Sequence, residues 1–161
     1  MFSLTKTNLP SSVEVDGRFY QIKTDFHWWL RFHHMIKNQE IKNYKDVDFL
    51  YDGRKPYDRI SGYEELLKFL NPEKKLPRPI GSESKGVIVY DYEIDSALIY
   101  SAFMELYHID LLKSDMHWFK FLALMDGLHG TRFNEVVSYR CFNKNDNQSY
   151  EESMEELKQM W

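Results

Sequence analysis

The chain has 161 residues, a length typical of one domain, and its 16% aromatic content argues against disorder. Its formal net charge of −4 disfavours a nucleic-acid-binding function, and the lack of any run of about 18 apolar residues argues against a membrane span. The single cysteine, Cys141, rules out an intrachain disulfide and favours a reducing compartment. No signal peptide is expected. We therefore expect one compact domain over residues 1–161, and the patterns described below predict that it is mainly α with a small N-terminal β-hairpin.

Residues 13–22, VEVDGRFYQI, predict a small N-terminal β-hairpin. Asp16 and Gly17 form an Asp-Gly pair between residues that favour strands. A two-residue hairpin turn needs positive φ at both central positions, which this pair tolerates well.

Residues 24–36, TDFHWWLRFHHMI, predict a helix that reaches about residue 38. Thr24 is the expected N-cap, with Asp25 in the first turn. The apolar arc is wide, which is typical of a helix buried against several neighbours. His27 and His34 are seven residues apart, whereas zinc ligands on one helix face are usually four apart. The pattern therefore favours an aromatic core with histidines at its rim over a metal or catalytic site.

The middle of the chain predicts two short helices and a loop. Residues 39–60 indicate a short helix broken at Gly53 and Pro56. A capping box over residues 61–64 opens a helix that ends before Pro72. Residues 71–87 hold three prolines and two glycines among polar residues, which predicts a flexible loop.

The second half predicts four helices. One begins at Asp91 or Tyr92 and runs to about Tyr107, and the next is capped by Ser114 and stopped by Gly127. A further short helix covers residues 131–140. After a polar linker, a second capping box opens a last helix over about residues 150–161.

The candidate reactive groups lack the partners that catalysis needs. His117 fits a capping or edge position better than a general base. Cys141 has no histidine in a recognisable nucleophile motif. Residues 81–86, GSESKG, lack the spacing of a phosphate-binding loop. We therefore expect no catalytic residues, no cofactor and no metal, although scattered histidines leave a hydrolase with dispersed residues as a remote alternative.

The last helix is amphipathic, with Tyr150, Met154, Leu157 and Trp161 at helical spacing. Such a helix either docks on its own core or binds another chain. Met154, Leu157 and Trp161 are the predicted partner-binding residues.

Charge is distributed unevenly along the chain. Residues 1–80 carry 14 Lys/Arg and 11 Asp/Glu, whereas residues 81–161 carry 7 and 14. Opposite net charges of +3 and −7 favour head-to-tail self-association, unless the asymmetry is accidental.

Several segments of the sequence resemble a family of small proteins from tailed phages and prophages of Gram-positive bacteria, here called bacteriophage Gp15-like. These are LPSSVEVDGRFYQIKTDFHWWLRF, YDYEIDSALIYSAFMELYHIDL, HWFKFLALMDGL and RFNEVVSYR. The similarity covers residues 9–34 and 88–140 and includes no catalytic motif.

The resemblance implies a helical tail assembly chaperone encoded beside the tape-measure gene. Such a protein binds and coats the tail tape-measure protein in the host cell cytoplasm, until the tail tube protein displaces it. Covering apolar stripes would keep a long helical client from aggregating. The alternative is a phage-encoded protein that binds a host protein, such as a defence factor. Neither function involves nucleic acid or a membrane.

Overall fold

The computed structural model describes residues 8–72 and 90–141. The expectation of a mainly helical chain with a small N-terminal hairpin is confirmed. The backbone contacts divide the chain into two compact units. The first contains residues 8–72 and 115–125 of the described part, and the second contains residues 90–114 and 126–141. The prediction that 1–161 form one domain stays a prediction.

The described residues form two strands and six helical segments, which are joined by turns and loops. In chain order they are β1 (Ser12–Val15), β2 (Arg18–Gln21), α1 (Phe26–Lys37), a 3₁₀-helix (Tyr44–Leu50), α2 (Arg59–Leu70), α3 (Ser96–Tyr107), α4 (Trp118–Asp126) and α5 (Arg132–Cys141). No helix within these residues is both long and apolar enough to cross a membrane. The predicted loop over 71–87, apart from residues 71–72, and the predicted helix over 150–161 lie outside the described residues.

The hairpin forms as its sequence predicts. Asp16 and Gly17 take positive φ values of 50° and 72°, as the two central residues of a tight hairpin turn require. The antiparallel register pairs Val15 with Arg18 and Val13 with Tyr20. Both valines are buried, so one face of the hairpin belongs to the core of the first unit.

Helix α1 begins one residue later than expected, because Asp25, and not Thr24, is its N-cap. The Asp25 carboxylate accepts a hydrogen bond from the His27 backbone N–H at Oδ1 and from the Met116 N–H at Oδ2, each 3.1 Å long. The Trp118 N–H also donates to the Thr24 carbonyl at 2.7 Å. The start of α1 is thereby fixed to the start of α4, a contact between distant parts of the chain.

Three of the four aromatic residues of α1 are core, as predicted, whereas Trp28 is partly exposed. Phe26, Trp29 and Phe32 are at most 2% exposed. The Trp29 ring lies 4.5 Å from the Phe69 ring, and its indole N–H donates to the Lys23 carbonyl at 2.8 Å. Such burial of large rings, with the polar N–H satisfied, is strongly stabilising.

Helix α2 also has a different cap from the predicted one. Asp58 caps it, accepting hydrogen bonds from the N–H groups of Ile60 and Ser61, so Ser61 lies inside the first turn and not at the predicted N-cap. Gly62 allows α2 to approach the preceding loop closely. A Cβ at this position would lie 2.6 Å from Pro56 Cγ and 2.8 Å from the Tyr51 hydroxyl.

In the second unit, α3 begins at Ser96, four or five residues after the predicted start. Residues 92–95 form a turn, in which the Asp91 carboxylate accepts from the N–H groups of Glu93 and Ile94. The helix ends at Tyr107 as expected, with His108 in the left-handed region at φ 54°. The predicted helix over 131–140 is confirmed as α5.

Helix α4 begins at Trp118, so Ser114 is not its cap. The His117 ring takes that part, because its Nδ1 accepts a hydrogen bond of 3.0 Å from the Phe119 N–H. The helix ends at Asp126, before Gly127, as predicted. Its buried residues are Trp118, Phe119, Phe121 and Met125.

Candidate protein-binding grooves

The predicted partner-binding residues Met154, Leu157 and Trp161 lie outside the described residues. The described part of the first unit instead offers two open concave surfaces lined by apolar and polar residues together. Each is built by segments that are distant in the sequence, so neither could be predicted from local patterns.

The first concave surface, named here the edge groove, lies between β1 and the C-terminal half of α2. Its cavity volume is about 770 Å³. Aromatic, aliphatic and polar residues line it together. They are Pro10, Ser12, Val13, Glu14, Phe19, Glu65, Leu67, Lys68, Phe69, Asn71, Pro72 and Phe119. Phe19 is 71% exposed, which is unusual for so large an apolar ring.

The charge of the edge groove is acidic at its rim. Glu65 lies 2.5 Å from the Lys68 ammonium, so this pair is internally compensated. The exposed Glu14 carboxylate has no ion pair within the described residues. A cationic group of a bound chain could therefore reach Glu14 without displacing an existing partner.

His117 connects Pro10 and Phe119, two residues that line the edge groove. Its Nε2 lies 2.8 Å from the Pro10 carbonyl oxygen, while its Nδ1 accepts from the Phe119 N–H. A carbonyl can only accept, so the proton is on Nε2 and the ring is neutral. Burial lowers the pKa of His117 from its ordinary value, with the Lys120 charge acting in the same direction and the Pro10 hydrogen bond opposing them. This agrees with the predicted capping or edge position.

The second concave surface, named here the tyrosine groove, lies where the end of α1 meets the 3₁₀-helix and α2. Its cavity volume is about 590 Å³. The lining residues are Met35, Ile36, Gln39, Ile41, Lys42, Asn43, Tyr44 and Tyr63. The Tyr44 and Tyr63 rings are 5.4 Å apart, and Tyr63 in turn lies edge-on to the buried Phe32 at 5.9 Å. The exposed Tyr44 ring thus contacts the half-buried Tyr63, which itself contacts the core.

Within residues 8–72 and 90–141, no group of three or more potential metal ligands converges, at the histidines of α1 or elsewhere. His27 lies 2.9 Å from Asp25 Oδ1 through its Nδ1. The side-chain amide of Asn38 lies 2.9 Å from His34 Nε2. Both histidines therefore have local structural partners near the ends of their helix.

The described residues form a mainly helical structure with two open grooves in the first unit, lined by apolar and polar side chains together. The chain belongs to the bacteriophage Gp15 protein family, whose family model matches residues 5–161. It is therefore a bacteriophage protein, and the resemblance found in its sequence phrases is confirmed. No curated protein matches the chain significantly. No solved structure does so either.

Proposed function

We propose that this protein is a tail assembly chaperone that binds and coats the tape-measure protein in the host cell cytoplasm, without enzymatic activity. Membership of the phage family supports the setting. The observation that carries the proposal is the tyrosine groove, an open and partly apolar surface in which Tyr44 is 42% exposed and Tyr63 is packed on the core.

The tyrosine groove suits one face of an amphipathic helix. Tyrosine and methionine are enriched at protein interfaces, and the unbranched Met35 side chain adapts to different partners. Lys42 lies at the rim of the groove, where it would favour acidic residues beside the apolar stripe of the client. A helix docked in a groove in this way presents anchors at positions i, i+3 or i+4, and i+7.

Coating follows from many copies binding along one client. Each copy covers a short apolar stretch, and binding at neighbouring positions adds avidity if copies also touch one another. Individually modest affinity keeps the coat reversible, so that the tail tube protein can displace it. Met154, Leu157 and Trp161 remain proposed as additional anchors, on the basis of their spacing alone.

Co-expression with the tape-measure protein of the same phage tests this proposal. We expect the wild-type chain to keep the tape measure soluble and to co-purify with it. Tyr44→Ala should weaken binding about tenfold, which corresponds to roughly 1.4 kcal/mol. Tyr57→Ala is the matched control, because Tyr57 is fully exposed and does not line either groove.

A tape measure that stays insoluble in the presence of the wild-type chain would contradict the chaperone function. Equal loss of binding in the Tyr44 and Tyr57 variants would remove the tyrosine groove from the proposal. If the protein instead binds a host protein, purification of the chain from infected cells should recover a complex that lacks the tape-measure protein.

A further inference from the structure

Within residues 8–72 and 90–141, the hairpin has one covered edge and one open edge. On the outer side of β2, the Gln21 carbonyl accepts a hydrogen bond of 2.9 Å from the Asp52 N–H, and Ile22 is bridged to Tyr51. On the outer side of β1, Ser12 and Glu14 have no hydrogen bond from their backbone groups to any described residue. Among the described residues, β1 is therefore the edge of the hairpin that is left open to another chain.

The register shows which groups point outward. A two-residue turn makes Val15 and Arg18 a hydrogen-bonded pair, and such pairs alternate along an antiparallel ladder. The bond of 2.9 Å from the Ile22 N–H to the Ser11 carbonyl fits this alternation. Ser12 and Glu14 belong to the non-bonded pairs, so their N–H and C=O groups face away from β2. Together they offer two donors and two acceptors.

The open edge coincides with the edge groove. Ser12, Val13 and Glu14 form one wall, and the end of α2, with Leu67 and Asn71, forms the other. A groove between an edge strand and a helix accepts a single extended segment, because main-chain hydrogen bonds form on the strand side and alternate side chains contact the groove. Strand β1 has four residues, which limits the paired segment to roughly 13 Å.

We propose that the edge groove binds an extended segment of a partner chain as an additional strand beside β1. The segment has apolar residues at alternate positions, which contact Leu67 and Phe119, and a lysine or arginine on its opposite face that pairs with Glu14. The apolar lining and the uncompensated carboxylate select this chemistry. The segment has no proline at the paired positions, since each needs its own N–H. The inference goes beyond the proposed function and stands on the edge groove alone.

A displayed library of random eight-residue peptides, selected on the immobilised full-length chain, provides the probe. We expect recovered peptides to alternate apolar and polar residues and to carry lysine or arginine. Binding of one recovered peptide should slow hydrogen exchange of the Ser12 and Glu14 amides at least tenfold. Failure to recover any peptide, or unchanged exchange at both amides, would overturn the proposal.

Three variants distinguish strand addition from non-specific binding. Ser12→Pro removes an outward N–H that the hairpin does not use, a substitution that edge strands accept. Ser12→Pro should weaken peptide binding at least tenfold. Ser12→Ala keeps the N–H and should bind the peptide as tightly as the wild type does. Glu14→Gln should weaken basic peptides several-fold without altering the backbone edge, and so provides a test if the proline variant folds poorly. Equal binding by all three variants would refute strand addition.

A second copy is the competing occupant. In that case the Ser12 and Glu14 amides of the peptide-free protein would become protected as the protein concentration rises. The selected peptides would then fail to bind. That result would assign the open edge to self-association and overturn the proposal.

Discussion

The Arg140 guanidinium makes a two-point ion pair with the Asp95 carboxylate, with Nη1–Oδ2 at 2.6 Å and Nη2–Oδ1 at 2.8 Å. Asp95 is only 2% exposed and precedes α3, while Arg140 lies in the last turn of α5. Asp95 Oδ2 also accepts a hydrogen bond from the Asp91 N–H. This pair therefore fixes the start of one helix to the end of another within the second unit.

Arg140→Ala should lower the free energy of unfolding by about 3 kcal/mol, because it leaves a buried carboxylate without its cation. Urea denaturation at pH 7 measures the change. Arg140→Lys is the matched comparison: it keeps the charge but not the two-point geometry, so an intermediate loss is expected. A loss below about 0.5 kcal/mol for the alanine variant would show that the pair is not needed for stability.

The same pair predicts an acid dependence. The hydrogen bonds from Arg140 hold the pKa of Asp95 below its usual range. A carboxyl group with a lowered pKa contributes stability that is present above its unfolded pKa of about 3.9 and is lost as the pH falls through the folded value. Arg140→Ala should therefore lose less stability than the wild type when the pH is lowered below about 4. Parallel acid transitions in the two proteins would argue against this contribution.

Trp29→Ala should cost about 3–5 kcal/mol of stability, since the ring is fully buried and leaves a large cavity. Trp28→Ala is the neighbouring control. The Trp28 ring is partly exposed and lies 4.0 Å from Lys23 Nζ, so its removal should cost less than half as much. Chemical denaturation distinguishes the two. Equal losses would contradict the core position of Trp29.

Protonation of His117 should lower the stability of the folded protein in mild acid. Burial lowers the pKa of the folded imidazole below the unfolded value of 6.5. The unfolded chain then binds more protons between these two values, so stability is complete above about pH 6.5 and decreases as the pH falls below it. Protonation at Nδ1 would also remove the acceptor for the Phe119 N–H. The positive charge of Lys120 also lowers the pKa of His117.

Thermal unfolding of the wild type and His117→Gln between pH 5 and pH 7.5 tests this dependence. The variant should be less stable at pH 7.5 but should lose less on acidification. His27→Gln is the control, because His27 is an exposed histidine of the same unit. Identical pH profiles for the wild type and the His117 variant would contradict the expected contribution.

Sequence patterns predicted which strands and helices form better than they predicted the residue at which each one begins. The hairpin depends on two adjacent residues, Asp16 and Gly17, so it could be recognised locally. The start of α3 could not, because Asp95 is held by Arg140, which is 45 residues away in the sequence. Likewise Asp25 is selected over Thr24 as the cap by its second contact, with the Met116 N–H.

The candidate surfaces were harder to predict for the same reason. Asp-Gly and the alternating valines identify β1, but only the fold brings β1, the end of α2 and Phe119 together. The sequence did carry one signal that could have been used. Phe19 lies opposite Glu14 in the hairpin, on the face away from the buried valines, so its exposure follows from strand alternation.

Self-association is expected from the charge asymmetry of the two halves of the sequence, +3 and −7. Head-to-tail contacts between unlike halves do not close on themselves, which would suit a rod-shaped client. Sedimentation velocity at low salt should show species larger than a monomer. At 1 M salt, where the screening length is about 3 Å, they should dissociate. A strict monomer at high concentration and low salt would count against this prediction.

Removal of residues 149–161 should abolish co-purification with the tape measure and leave the thermal midpoint nearly unchanged, if Met154, Leu157 and Trp161 are binding anchors. Their spacing places them on one face of the predicted helix, and aromatic anchors commonly dominate interface energy. If that face instead packs on the protein's own domain, losing ~3 kcal/mol should lower the midpoint by roughly 6–12 °C. Glu155→Gln, which changes the polar side of the same helix, is the matched control and should affect neither measurement. Tape-measure binding that survives the truncation would refute the anchor assignment and leave the tyrosine groove as the binding surface.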